Sequence, residues 1–305
     1  MVGIRILKAA FRRARAWGEL VMFTHSIFSF SFLALSACVA WAAPSSRGSS
    51  VVSARGFPDV RTSILIALAF LGGRTCANAL NRIIDRDIDA ANERTRGRHL
   101  PAGLISTSEA AIIAGCSFLL LSVAAWYLNP VCVALLPVAG ALILVYSYTK
   151  RFTWLCHLAL GVACAAAPAG AWIAVRGSLD FPALLLAGAN ALWVAGFDIV
   201  YAIQDIDFDR KAGLHSIPAR FGKKSALDIA AFAHVAAIAA LFAFGIIARL
   251  GLAYHAGVGV AAVLLFLAAA AARTDYRAKV LFASYSANQL VSLVLLAATV
   301  LEFAL

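Results

Sequence analysis

The sequence predicts an all-α polytopic membrane protein, a bundle of nine transmembrane helices with cytoplasmic cap loops, in one domain over residues 1–305. Three observations carry this. Of 305 residues, 63% are apolar and 13% charged, where a soluble domain is nearer about 45–50% apolar and 25% charged. The apolar residues gather into nine runs, each close to the roughly 20 residues that cross a hydrocarbon core. Lys and Arg gather in alternate loops, as the positive-inside rule requires.

Residues 1–20 carry Arg5, Lys8, Arg12, Arg13 and Arg15 and read as a basic cytoplasmic lead. The first run, about Val21 to Ala43, exceeds the 7–15 residues of a signal-peptide core and reads as a span. A Ser/Gly/Pro-rich loop follows at 44–60. The second span runs from about Ser63 to Ala90, then a basic, turn-rich loop at 92–106. The remaining spans fall near 107–128, 130–149, 155–175, 181–204, 225–248, 251–272 and 283–303.

With the N-terminus inside, the segments 1–20, 92–106, 150–154, 206–224 and 273–282 hold 18 of the 26 Lys and Arg. The external loops hold 5, and the last three lie on the second span. That asymmetry orients the chain in a bacterial-type cytoplasmic membrane. It also explains the +11 balance without nucleic acid. The six cysteines show no metal or redox spacing and read as small buried hydrophobes.

The second span ends in Asn81-Arg82-Ile83-Ile84-Asp85-Arg86-Asp87-Ile88-Asp89. Four residues turn a helix by about 400°, so Asn81, Asp85 and Asp89 share a face that Asp87 does not. The sixth span ends with Asp198, Tyr201, Asp205 and Asp209 on one face. The charge topology puts both acidic ends at the cytoplasmic surface. Acids at membrane depth are costly and signal function. Here they also sit where the helix dipole favours cations. Carboxylate and amide oxygens without His or Cys suit Mg²⁺, which keeps waters and is completed by phosphate oxygens. Arg94, Lys150, Arg151, Arg210 and Lys211 lie in loops beside these acids, as phosphate binders or as plain positive-inside charges. A hydrophobic tail with a diphosphate head, a polyprenyl diphosphate, fits these constraints. A cation-coupled transporter is the rival from another class, but the acids lie at one face and no inverted repeat is visible.

The run NRIIDRDIDAANERTRGRHLPAG resembles the first signature and continuation of the UbiA-type intramembrane prenyltransferases. DIVYAIQDIDFDRKAG resembles the second signature, Tyr146 to Thr153 the intervening Lys-Arg loop, and Phe23-Thr24-His25-Ser26 the first-span entry. Arg82 departs from the pattern, where many members have Asp. The nearest resemblance is to the 4-hydroxybenzoate polyprenyltransferase-like subgroup, part of which serves the futalosine route to menaquinone. The resemblance implies Mg²⁺-dependent transfer of a polyprenyl chain to an aromatic acid in quinone synthesis. The acid is 4-hydroxybenzoate or, alternatively, 1,4-dihydroxy-6-naphthoate. It implies one Mg²⁺ on Asn81, Asp85 and Asp89, and another on Asp205 and Asp209. Lys150, Arg151 and Arg94 would then neutralise the departing diphosphate. Tyr201 would stabilise an allylic cation. Asp198 would orient the acceptor hydroxyl or take a proton. Arg86 would pair with the acceptor's carboxylate or with Asp89.

Overall fold

The computed structural model describes residues 17, 26–42, 57–274 and 286–304. Most of the basic lead, Phe23 to His25, most of the predicted loop 44–60 and the segment 275–285 lie outside them. Among the described residues the structure is all helical. The elements are α1 (Ser26–Ala42), α2 (Val60–Ile84), α3 (Arg86–Ala91), α4 (Thr107–Leu128), α5 (Pro130–Ala134) and α6 (Leu136–Val145). A 3₁₀ turn, Tyr146–Arg151, leads to α7 (Cys156–Arg176) and α8 (Phe181–Ala202). A second 3₁₀ turn, Ile203–Asp205, leads to α9 (Ile206–Lys211), α10 (Ile217–Ile247), α11 (Leu252–Ala272) and α12 (Ala287–Ala304).

Seven described helices are long and apolar enough to cross a membrane. The first and fourth predicted spans correspond to shorter helices: α1, with 17 residues, and a pair of 5 and 10 residues. The pair is broken at Leu135 because Pro137 has no N–H for the carbonyl four residues back. The second span, predicted as one helix to Ala90, is interrupted at Asp85. The seventh starts earlier than predicted, at Ile217, and kinks at Gly222, whose φ of 80° suits glycine.

Side chains close the helix ends. Asp59 accepts from the Thr62 N–H at 3.0 Å and starts α2. Ser106 and Glu109 form a reciprocal capping box at α4. Glu302, on α12, accepts from the Gly251 N–H at 2.6 Å and the Tyr254 N–H at 3.3 Å, so it caps α11 from another helix.

The largest core cluster joins α1, α7, α8, α10, α11 and α12 around Phe32, Trp193, Phe244 and Tyr254. Leu119, Trp126, Phe232 and Phe266 point outward, as lipid-facing side chains do. Two of the cysteines, Cys38 and Cys76, are buried as expected; Cys116 is exposed on the apolar exterior and the other three are half-buried.

Small residues set the helix spacing. At Gly72 an added Cβ would lie 2.6 Å from the Ser117 carbonyl oxygen across α2 and α4. At Gly161 it would lie 2.2 Å from the Ala191 carbonyl oxygen across α7 and α8. Backbone cannot yield as a flexible side chain does. Gly161→Ala is therefore expected to destabilise the protein by about 1–3 kcal/mol, read as a lower thermal midpoint in detergent. An unchanged midpoint would show that α7 and α8 separate freely.

Candidate active site

The two acidic helix ends meet. Asn92 Nδ2, just past α3, donates to Asp205 Oδ1 at 2.9 Å. Arg94 Nε donates to the same oxygen at 2.9 Å, Nη2 to the other, and Nη1 to the Tyr201 hydroxyl. Burial opposes the Arg94 charge, but its bonds to Asp205 and Tyr201 outweigh that and hold its pKa above the ordinary value.

Asp85, buried at the break between α2 and α3, gathers three partners. Asn81 Nδ2 donates to Oδ2 at 3.0 Å, Lys150 Nζ to Oδ2 at 2.7 Å, and Arg151 Nη2 to Oδ1 at 3.2 Å. The 3₁₀ turn brings Lys150 and Arg151 here, and Arg151 also donates to the Ile84 and Ser147 carbonyls. Asp89 is buried under Arg98, whose Nη1 lies 2.7 Å and 2.9 Å from its two oxygens. Asp209 accepts from the Ser216 hydroxyl at 2.7 Å. Asp198 Oδ2 lies 2.7 Å from His157 Nδ1.

Asn81, Asp85, Asp89, Asp205 and Asp209 all line one cavity of about 680 Å³. Asp198, Tyr201, Lys150 and Arg94 line it too. From this polar end the cavity continues between apolar helices to Ile66, Leu128 and Leu179. Ile66 and Asp85 are 19 residues apart, about 28 Å along a helix. The cavity thus runs nearly the thickness of a hydrocarbon core, about 30 Å.

Four predicted site residues do not line this cavity. Arg86 does not line the cavity; it is half exposed and donates to Asp87 at 3.0 Å. One residue past Asp85, it is turned by about 100°, off the shared face. Arg210 and Lys211 are exposed outside the cavity, and Arg210 donates to the Ala219 carbonyl. Arg151 reaches Asp85 but does not line the cavity.

Polar side chains outside the predicted set do line it, Arg98, Arg74 and His157 among them. Arg98 was visible within the first motif's continuation. Arg74 lies on α2, 11 residues before Asp85, so about 16 Å deeper. His157 follows the Lys-Arg loop.

Among the described residues no three His, Cys, Asp or Glu side chains form a ready metal cage. The donors facing the cavity's polar end are nonetheless carboxylate and amide oxygens. That is the chemistry of a Mg²⁺ site that relies on water and phosphate for its remaining ligands.

The UbiA prenyltransferase family model matches residues 39–290. The chain belongs to the UbiA prenyltransferase family. It is 34% identical over 210 residues to 4-hydroxybenzoate octaprenyltransferase of Shewanella piezotolerans (strain WP3 / JCM 13877), covering 68% of this chain and 71% of that one. It is 35% identical over 211 residues to the 4-hydroxybenzoate octaprenyltransferase of Shewanella sp. (strain ANA-3), covering 68% and 72%. A UbiA homologue from Aeropyrum pernix K1 superposes with a TM-score of 0.80 at 31% identity, over 92% of this chain and 98% of that one. A UbiA homologue from Archaeoglobus fulgidus bound to GPP and Mg²⁺ superposes at 0.68 over 95% and 100%, and at 17% identity shares the fold. As a UbiA prenyltransferase this chain is a multi-pass membrane enzyme that transfers prenyl groups.

Proposed function

We propose that this UbiA prenyltransferase moves a polyprenyl chain from its diphosphate to an aromatic hydroxy acid, 4-hydroxybenzoate, in quinone synthesis. One observation carries the reading: a single cavity joins a cap of carboxylates, Lys150 and arginines to an apolar channel nearly as long as a bilayer core is thick. The names of the relatives support the acceptor. The Lys and Arg asymmetry supports a cap facing the cytoplasm in a bacterial-type inner membrane, with the N-terminus inside.

Asn81, Asp85 and Asp89 would hold one Mg²⁺, and Asp205 and Asp209 another. Mg²⁺ bound there supplies positive charge that stabilises the departing diphosphate. Lys150 and Arg94 turn from carboxylates to diphosphate oxygens and add to that charge. The allylic C–O bond breaks and its electron pair leaves with the diphosphate. The apolar walls keep water from the allylic cation, and the Tyr201 ring stabilises it. The acceptor carbon next to the hydroxyl forms the new C–C bond, and its ring proton passes to Asp198. Arg74 takes the role expected of Arg86 and holds the acceptor's carboxylate.

The test is turnover of purified protein in detergent with prenyl diphosphate, Mg²⁺ and each candidate acid, followed by pyrophosphate release and product mass. Prenylated 4-hydroxybenzoate is expected. Product from 1,4-dihydroxy-6-naphthoate alone reassigns the acceptor, and no product from any aromatic acid refutes the reading. Arg74→Ala is expected to raise KM for the acid about 10- to 100-fold, the worth of one charge-assisted pair. It should leave KM for the prenyl diphosphate and turnover of a carboxylate-free phenol unchanged. An equal loss with the phenol would remove Arg74 from acceptor binding.

A further inference from the structure

His157 sits in no acidic motif, yet it is buried at the start of α7 and lines the cavity. Its Nδ1 lies 2.7 Å from Asp198 Oδ2, and its Nε2 accepts the Ile217 backbone N–H at 3.3 Å. A ring that accepts at Nε2 carries its proton on Nδ1 and donates it to Asp198. A doubly protonated ring would set two N–H groups head to head at Ile217. The Ile217 contact therefore selects the tautomer, and a carboxylate is the matching acceptor. The Ile217 anchor is firm. Ile217 follows Ser216, whose hydroxyl both bonds Asp209 and accepts the Ala219 N–H that starts α10. The preceding residue is tied down as well, since the His215 N–H donates to the Lys150 carbonyl at 2.8 Å. The Asp198 hydrogen bond uses Oδ2, which leaves Oδ1 for a group in the cavity.

We propose that His157, clamped between the Ile217 N–H and Asp198, is a positioning residue that holds Asp198 as a carboxylate and aims its other oxygen at the aromatic acceptor. The inference rests on the proposed acceptor chemistry and adds a residue to it. It follows the logic of a base oriented by a third group, with the histidine as the orienter.

A double-mutant cycle tests it, using whichever aromatic acceptor the wild type turns over, so that wild-type turnover reports on the proposed function and the cycle on His157. His157→Ala is expected to lower kcat about 10- to 100-fold with KM for the prenyl diphosphate unchanged. Asp198→Ala is expected to lower it at least as far, and the double variant no further than Asp198→Ala alone. His157→Asn, whose amide N–H occupies nearly the Nδ1 position, is expected to recover most of kcat. Multiplying losses in the double variant would overturn the proposal, because His157 would then act apart from Asp198. So would a His157→Ala defect confined to the thermal midpoint, or no recovery in a His157→Asn protein whose midpoint matches the wild type.

Discussion

Asp85→Ala is expected to abolish prenyl transfer, with a loss of about 10³-fold or more in kcat/KM. Among the described residues, Asp85 is the acid of the cap with three side-chain partners. Asp85 takes bonds from Asn81, Lys150 and Arg151 and sits where α2 gives way to α3. Removing it deletes a proposed metal ligand and leaves two cations facing each other. Lys150 and Arg151 are each 29% exposed, so the stability cost falls below the roughly 3–5 kcal/mol of breaking a fully buried pair. Asp85→Asn separates the two effects. It keeps the shape and one acceptor oxygen but offers no charge. It should keep most of the thermal midpoint and still release no pyrophosphate, whereas near-wild-type release would remove Asp85 from the chemistry.

The second large effect is expected at Arg94. Its guanidinium grips both Asp205 oxygens and the Tyr201 hydroxyl at once. An ammonium cannot reproduce that planar fork, so Arg94→Lys is expected to restore charge but little geometry. Arg94→Ala should lower kcat/KM about 100-fold, partly through a higher KM for the prenyl diphosphate. Arg94→Lys should fall between the two. If both variants keep wild-type KM and kcat and lose only thermal stability, Arg94 is a brace between the acidic ends and not a diphosphate ligand.

What the sequence revealed depended on whether a residue's direction follows from its spacing. Asn81, Asp85 and Asp89 are four apart, so an α-helix puts them on one face, and all three still line the cavity across the observed break. Asp87 followed by the same rule and is exposed. Arg86, Arg210 and Lys211 were chosen because they adjoin acids in sequence. On a helix, adjacency means about 100° of divergence, and all three point away from the cavity. His157 was missed because its partner is 41 residues away and meets it only when α7 packs on α8. Arg74 was visible as a charge on the second span, but its depth in the cavity emerged only from the packed bundle. The fourth span was read from its hydropathy, which Pro137 hardly alters. Its break is a matter of one missing backbone donor.

That broken span has a consequence for how the enzyme meets its donor. No residue of α5 or α6 is buried. Leu135 and Val138 line the cavity while 37% and 53% exposed, so among the described residues this wall of the channel is a single interrupted helix. On the proposed reading, a prenyl tail passing from bilayer to channel trades one hydrocarbon surrounding for another, so no water is released and the hydrophobic effect contributes almost nothing. Selectivity for the donor then resides in its charged head. Added isoprene units would sharpen apparent affinity in an aqueous assay and leave it nearly flat in a membrane.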